Sequence, residues 1–128
     1  MQQFALFVTK SSYDSRNAES AFAFCEAAIA LGHKIEHVFF YQAGVHNASA
    51  LIEVNADEVN MKERWELLHA KHGVPLYVCE TAATRRGVIC SRHRVDSDIQ
   101  NMNPSFQSVG MSAYFAALHN EAIKSIQF

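Results

Sequence analysis

Three cysteines are all the chain has, Cys25, Cys79 and Cys90, and an odd number cannot pair completely. The N-terminal Met1-Gln2-Gln3-Phe4 lacks the basic region and cleavage site of an export signal. Both absences point to free thiols in a reducing cytoplasm rather than to a disulfide framework. No apolar run approaches the ~20 residues of a membrane span. Positive charge is not in excess either: 11 Lys and Arg face 13 Asp and Glu, a net charge of −2. A dedicated nucleic-acid binder usually shows a basic face, so direct nucleic-acid binding is not expected. Finally, Thr9-Lys10-Ser11-Ser12-Tyr13 follows the first apolar run with no glycine. A phosphate-cradling loop would need glycine there, so a nucleotide site is unsupported.

What is present suits one compact α/β domain over residues 1–128. The composition, 49% hydrophobic and 19% charged, is that of an ordinary globular chain. Phe4-Ala5-Leu6-Phe7-Val8 reads as a central parallel strand. Ala18 to Leu31 reads as a helix, with Ala21, Phe24, Cys25, Ala28 and Leu31 on one face and Gly32 as its stop. His33 to Tyr41 reads as a second strand, and Gln42 to Asn47 as the loop after it. Asp57 to His72 repeats apolar positions at Met61, Trp65 and Leu68, with His72 next in phase, as an amphipathic helix does. Met111 to Ala122 reads as a helix with Met111, Tyr114, Phe115 and Leu118 inward. Ser125 to Phe128 closes the chain as a short strand. The alternation predicts a doubly wound, mainly parallel sheet of about five strands.

The stretch around Cys79 carries the chemistry. Leu76-Tyr77-Val78 is a short apolar run of β-formers, Thr81 to Arg86 suits a helix, and Gly87 ends it. Cys79 then lies where strand becomes helix, at the carboxyl edge of the sheet, where α/β folds bind ligands. Helix N–H groups there favour a thiolate, while the neighbouring Glu80 opposes one. The alternative is a buried cysteine acting as a small apolar side chain. Cys25, on an apolar helix face, has that packing role. Tyr41, Gly44 and His46 leave the same sheet edge and are candidates to line a crevice with Cys79, Glu80 and Thr81. His46 is a candidate base or hydrogen-bond donor; the competing reading is a solvated loop histidine. Cys90 and His93 have C-x-x-H spacing, and His69 and His72 are three apart. Structural zinc needs four ligands, and nothing joins these pairs, so neither a metal nor another cofactor is expected.

Several segments bear a common stamp: Ser20 to Phe24, Gly32-His33, Val38-Phe39-Phe40-Tyr41, Gly44-Val45 with Asn47, and Cys79-Glu80-Thr81-Ala82-Ala83-Thr84-Arg85-Arg86-Gly87-Val88. Asn101, Phe106, Ser108 with Gly110, and Gln127-Phe128 extend it. In register, nearly end to end, they resemble the DsrE/TusD family of small sulfur-relay proteins, and most nearly its TusD-like members. The cysteine segment is similar to that family's Cys-x-x-Ala-x-x-Arg-Arg-Gly pattern, although Glu80 and Thr84 replace residues that are usually apolar. The resemblance implies a sulfurtransferase that carries sulfur as a persulfide on Cys79. It implies a heterohexamer with TusB-like and TusC-like subunits, a TusA-like sulfur donor, and a TusE/DsrC-like carrier cysteine as acceptor. In the TusD case the sulfur reaches 2-thiouridine at the wobble position of tRNA; in the DsrE case it serves oxidative sulfur metabolism. A non-catalytic subunit of such a complex and a small-molecule or redox protein using the same crevice are the rival readings.

Overall fold

The computed structural model describes residues 1–90 and 100–128. Among these residues five strands form: β1 (Gln3–Val8), β2 (Lys34–Phe40), β3 (Leu76–Cys79), β4 (Phe106–Val109) and β5 (Ile123–Gln127). They lie side by side as β4-β3-β2-β1-β5, with every neighbouring pair parallel. Parallel neighbours need crossover connections. These contain α1 (Asn17–Ala30), α2 (Met61–His72), α3 (Glu80–Arg85) and α4 (Met111–Leu118). The expected α/β architecture is therefore present.

Adjacent residues of β2 show why its apolar run is continuous. Phe40 packs edge-on against Trp65 of α2, with ring centroids 5.1 Å apart. Phe39 packs against Tyr114 of α4 at 5.5 Å. Successive strand residues point to opposite faces, so α2 and α4 cover opposite sides of the sheet. Phe22 of α1 meets Trp65 at 5.7 Å, which puts α1 on the α2 side. The chain steps from β1 to β4 in one direction and then returns to β5 beyond β1. Right-handed crossovers require that reversal to change faces, which is why α4 lies opposite α1 and α2.

A buried polar network ties the carboxyl edge together. The chain leaves β2 into a 3-10 turn, Gln42–Ala48. Inside that turn, Asn47 Nδ2 donates to Gly44 O at 2.9 Å and to Lys10 O at 3.1 Å. Its Oδ1 accepts from Trp65 Nε1 at 3.1 Å. One amide thus joins the ends of β1 and β2 to α2, and it satisfies the indole N–H that Trp65 buries.

Some sequence expectations shift. The helix expected from Asp57 begins at Met61, because Asn60 is extended and its side chain accepts from Glu63 N, capping the first turn. His72, in phase with the buried residues of α2, is exposed at the helix end. In α1, Phe22 is buried and Leu31 is 75% exposed, since Leu31 has already left the helix as its C-cap. The last helix ends at Leu118 rather than Ala122. Of its four expected inward residues only Tyr114 is buried, with its hydroxyl on Ser125. Phe115 is 52% and Leu118 37% exposed. Met-Ser-Ala-Tyr-Phe-Ala-Ala-Leu is apolar almost all round, so periodicity could not select its packed face.

His37 lies under α4, among Phe39, Tyr77 and Tyr114. It is buried, and its Nε2 has no hydrogen-bond partner among the described residues. Burial holds its pKa below the usual value, against a weaker upward pull from Glu36. The unfolded chain therefore binds this proton more readily than the folded one. Stability from neutral His37 is complete above the unfolded histidine pKa of about 6.5 and declines as pH falls below it. We expect His37→Phe to melt with a weaker pH dependence than wild type between about pH 7 and 5. Parallel curves for the two proteins would remove this role.

Candidate functional site

Cys79 ends β3, and α3 starts on the next residue. Its backbone is extended, at φ −61° and ψ 118°, and its side chain makes no capping hydrogen bond. The thiol is thus committed neither to the strand ladder nor to the helix start. Cys79 is 4% exposed, yet it borders a cavity of about 640 Å³ that opens at the carboxyl edge. The cavity lies where the chain leaving β3 into α3 and the chain leaving β4 into α4 diverge. Such divergence is where open α/β sheets place ligands.

The cavity walls come from three places. Tyr41 and Gln42 arrive from the end of β2, and Cys79 to Ala82 with Arg85 and Arg86 from α3 and its entry. Gly110 and Met111 arrive from the start of α4. Of the residues expected around Cys79, Tyr41, Glu80 and Thr81 share this cavity. Gly44 and His46 do not border it. Gly44 is pressed onto β1, where a Cβ would lie 2.1 Å from Val8 O. His46 is partly buried further along the same turn, so no base from this turn joins Cys79 in the cavity. Gln42, Arg85, Arg86, Gly110 and Met111 are residues that sequence reasoning did not place in the crevice. Arg85 and Arg86 were legible as the last turn of α3, but not as residues bordering the cavity.

The arrangement suits thiol chemistry with an anionic or polarised partner. Arg85 and Arg86 are exposed residues that line the cavity, and positive charge in a cavity bordered by a thiol favours its thiolate or persulfide anion. Glu80, in the first turn of α3, works against that charge. The end of α3 is held firmly: Asn101 Nδ2 donates to Gly87 O and its Oδ1 accepts from Ile89 N, each at 2.6 Å. Gly87 takes φ 71° there, the left-handed stop expected of it.

The other two cysteines differ. Cys25 is fully buried in α1; burial, with a smaller contribution from Glu26, pushes its thiol up to about 12. It stays a neutral thiol and packs as an apolar side chain. Cys90 is partly exposed and borders a different cavity from Cys79, together with Met102 and Phe106. Its C-x-x-H partner His93 falls outside the described residues. A second cavity of about 630 Å³ lies between residues 54–60 and α2, but no cysteine or histidine lines it. No helix among the described residues is long and apolar enough to cross a membrane.

The crystal structure of the ychN protein from E. coli superposes on this fold with a TM-score of 0.70 over the whole of both chains, at 19% identity, which establishes the shared architecture. A protein of Erwinia tasmaniensis named sulfurtransferase TusD is 42% identical over 113 residues, covering 87% of this chain and 88% of its own. The model of the DsrE/DsrF-like family matches residues 2–128. On the family match across nearly its whole length, this chain belongs to the DsrE/DsrF-like family.

Proposed function

We propose that the protein is a sulfurtransferase subunit that accepts sulfur as a persulfide on Cys79 and passes it to a TusE/DsrC-like carrier cysteine. It works with TusB-like and TusC-like subunits, takes sulfur from a TusA-like donor, and supplies 2-thiolation of the tRNA wobble uridine. The observation that carries this reading is Cys79 itself, at the mouth of α3 beside an open cavity with two arginines. A non-catalytic subunit would have no use for a thiol so placed.

The steps balance without an oxidant or reductant. The Cys79 thiolate attacks the outer sulfur of a donor persulfide. A bond forms between Sγ and that sulfur, the donor's own S–S bond breaks, and its electron pair leaves on the donor thiolate. The proton lost from Cys79 balances the one that the donor thiolate takes up. Cys79 then carries the persulfide. An acceptor thiolate attacks the outer sulfur in turn, and Cys79 departs as a thiolate, ready for another cycle. Arg85 and Arg86 favour the anionic forms of both steps.

Incubation with a small persulfide donor, in the presence of the partner subunits, tests the reading. The peptide containing Cys79 should gain one sulfur, roughly 32 Da, and lose it to reductant. No gain on that peptide, or a gain confined to Cys25 or Cys90, would sink it.

A further inference from the structure

One side chain at the cavity holds an unfavourable backbone. Gln42 has φ 52°, the only positive φ outside glycine among the described residues. That region disfavours residues with a Cβ, and glutamine is not among those that tolerate it best. The cause is the tight exit from β2. Tyr41 N donates to Val8 O at 2.9 Å, and Gly44 N donates back to Tyr41 O at 2.9 Å. Gly44 then lies against the same Val8 carbonyl. The chain must reverse within two residues, and position 42 absorbs the reversal. Glycine would do so without cost. Glutamine instead retains the cost and places an exposed side chain at the cavity that holds Cys79. No hydrogen bond ties that side chain to another described residue.

A strained residue kept at the rim of a reaction cavity invites a functional explanation. We propose that Gln42 is a second functional residue of this site, its side-chain amide donating a hydrogen bond to the sulfur carried on Cys79. The inference rests on the persulfide reading above. Arg85 and Arg86 border the cavity from the end of α3 and Gln42 borders it from the end of β2, so the cavity offers a sulfur beyond Sγ donors from two elements. A neutral amide stabilises the anionic outer sulfur without fixing it as tightly as a third cation would. The sulfur is held during residence and released when an acceptor attacks. In both steps negative charge passes from the attacking sulfur to the leaving sulfur across the transferred sulfur, so a donor held beside that sulfur helps to carry the charge in the transition state.

The test compares Gln42→Gly, Gln42→Glu and Gln42→Asn with wild type and Cys79→Ser, in the complex with the partner subunits. Glutathione persulfide is the sulfur source. Persulfide formation is timed by quenched mass spectrometry, and thermal unfolding is followed in parallel. Gln42→Gly should unfold at the wild-type temperature or above it, yet load sulfur roughly tenfold more slowly. Gln42→Glu, the same shape with no amide donor, should load more slowly again. Gln42→Asn tolerates the backbone and keeps an amide, so it should recover part of the rate. A residue serving the turn alone would show wild-type loading in Gln42→Gly and Gln42→Glu, and that result overturns the inference while the persulfide reading stands. Failure of wild type to load sulfur at Cys79 overturns both.

Discussion

Gly44→Ala is expected to destabilise the protein by roughly 3 kcal/mol and lower its melting temperature by about 10 °C. An ideal Cβ at this position would lie 2.1 Å from Val8 O, 2.9 Å from Val8 C and 3.3 Å from Thr9 Cα. All three are backbone atoms at the end of β1, a strand held by β2 on one side and β5 on the other. No rotamer change relieves the overlap, so the 42–48 turn must lift off β1. That movement would strain the bond from Tyr41 N to Val8 O and pull Asn47 away from Lys10 O and Trp65 Nε1. A buried indole N–H left without an acceptor adds its own desolvation cost. Gly32→Ala is the control. Gly32 has φ 84°, but a Cβ added there would meet nothing within 4 Å, so only conformational strain of about 1 kcal/mol is expected. Thermal melts of the two variants separate close contact from backbone conformation. If Gly44→Ala melted no lower than Gly32→Ala, the packing argument for the turn would be wrong.

The contrast between these glycines also marks what a sequence discloses. Gly32 and Gly87 follow helical segments and were legible as stops; each has positive φ. Gly44 was legible only as a loop glycine beside the crevice. Its actual reason, the nearness of Val8 O, joins residues 36 positions apart and has no local signature. β1, β2 and β3 were legible because burial on both faces makes their apolar runs continuous, whereas β4 (Phe-Gln-Ser-Val) and β5 (Ile-Lys-Ser-Ile-Gln) carry exposed polar residues and offer no such run. Cys79 was legible as a strand-to-helix residue because Leu76 to Val78 and the Arg85-Arg86-Gly87 ending frame it closely. Gln42 was not, since nothing in a glutamine announces a left-handed backbone. The inner face of α4 was hidden for the opposite reason: too many of its residues are apolar for a pattern to choose among them.

Replacing Cys79 with serine should reduce sulfur acceptance by a factor on the order of a thousand or more. A hydroxyl is not appreciably ionised near neutral pH, and without Sγ the S–S bond that carries the cargo cannot form. The substitution should leave the fold nearly intact. Serine is close to cysteine in size, and the position borders an open cavity, so the cost is roughly 1 kcal/mol or less. Cys25→Ser should behave in the reverse way. Cys25 has 0% exposure among apolar neighbours, so a hydroxyl there should cost roughly 1–3 kcal/mol. Loading should continue at the wild-type rate, because a thiol raised to about 12 by burial supplies no thiolate. Cys90→Ser should change neither quantity by much. Each variant removes one sulfur atom, so the number of thiols cannot explain a loss seen only at position 79; the cavity beside that thiol can. Loading rates measured by intact mass, beside thermal melts, provide the comparison. Wild-type loading in Cys79→Ser, or loss of loading in a well-folded Cys25→Ser, would place the sulfur chemistry elsewhere in the molecule.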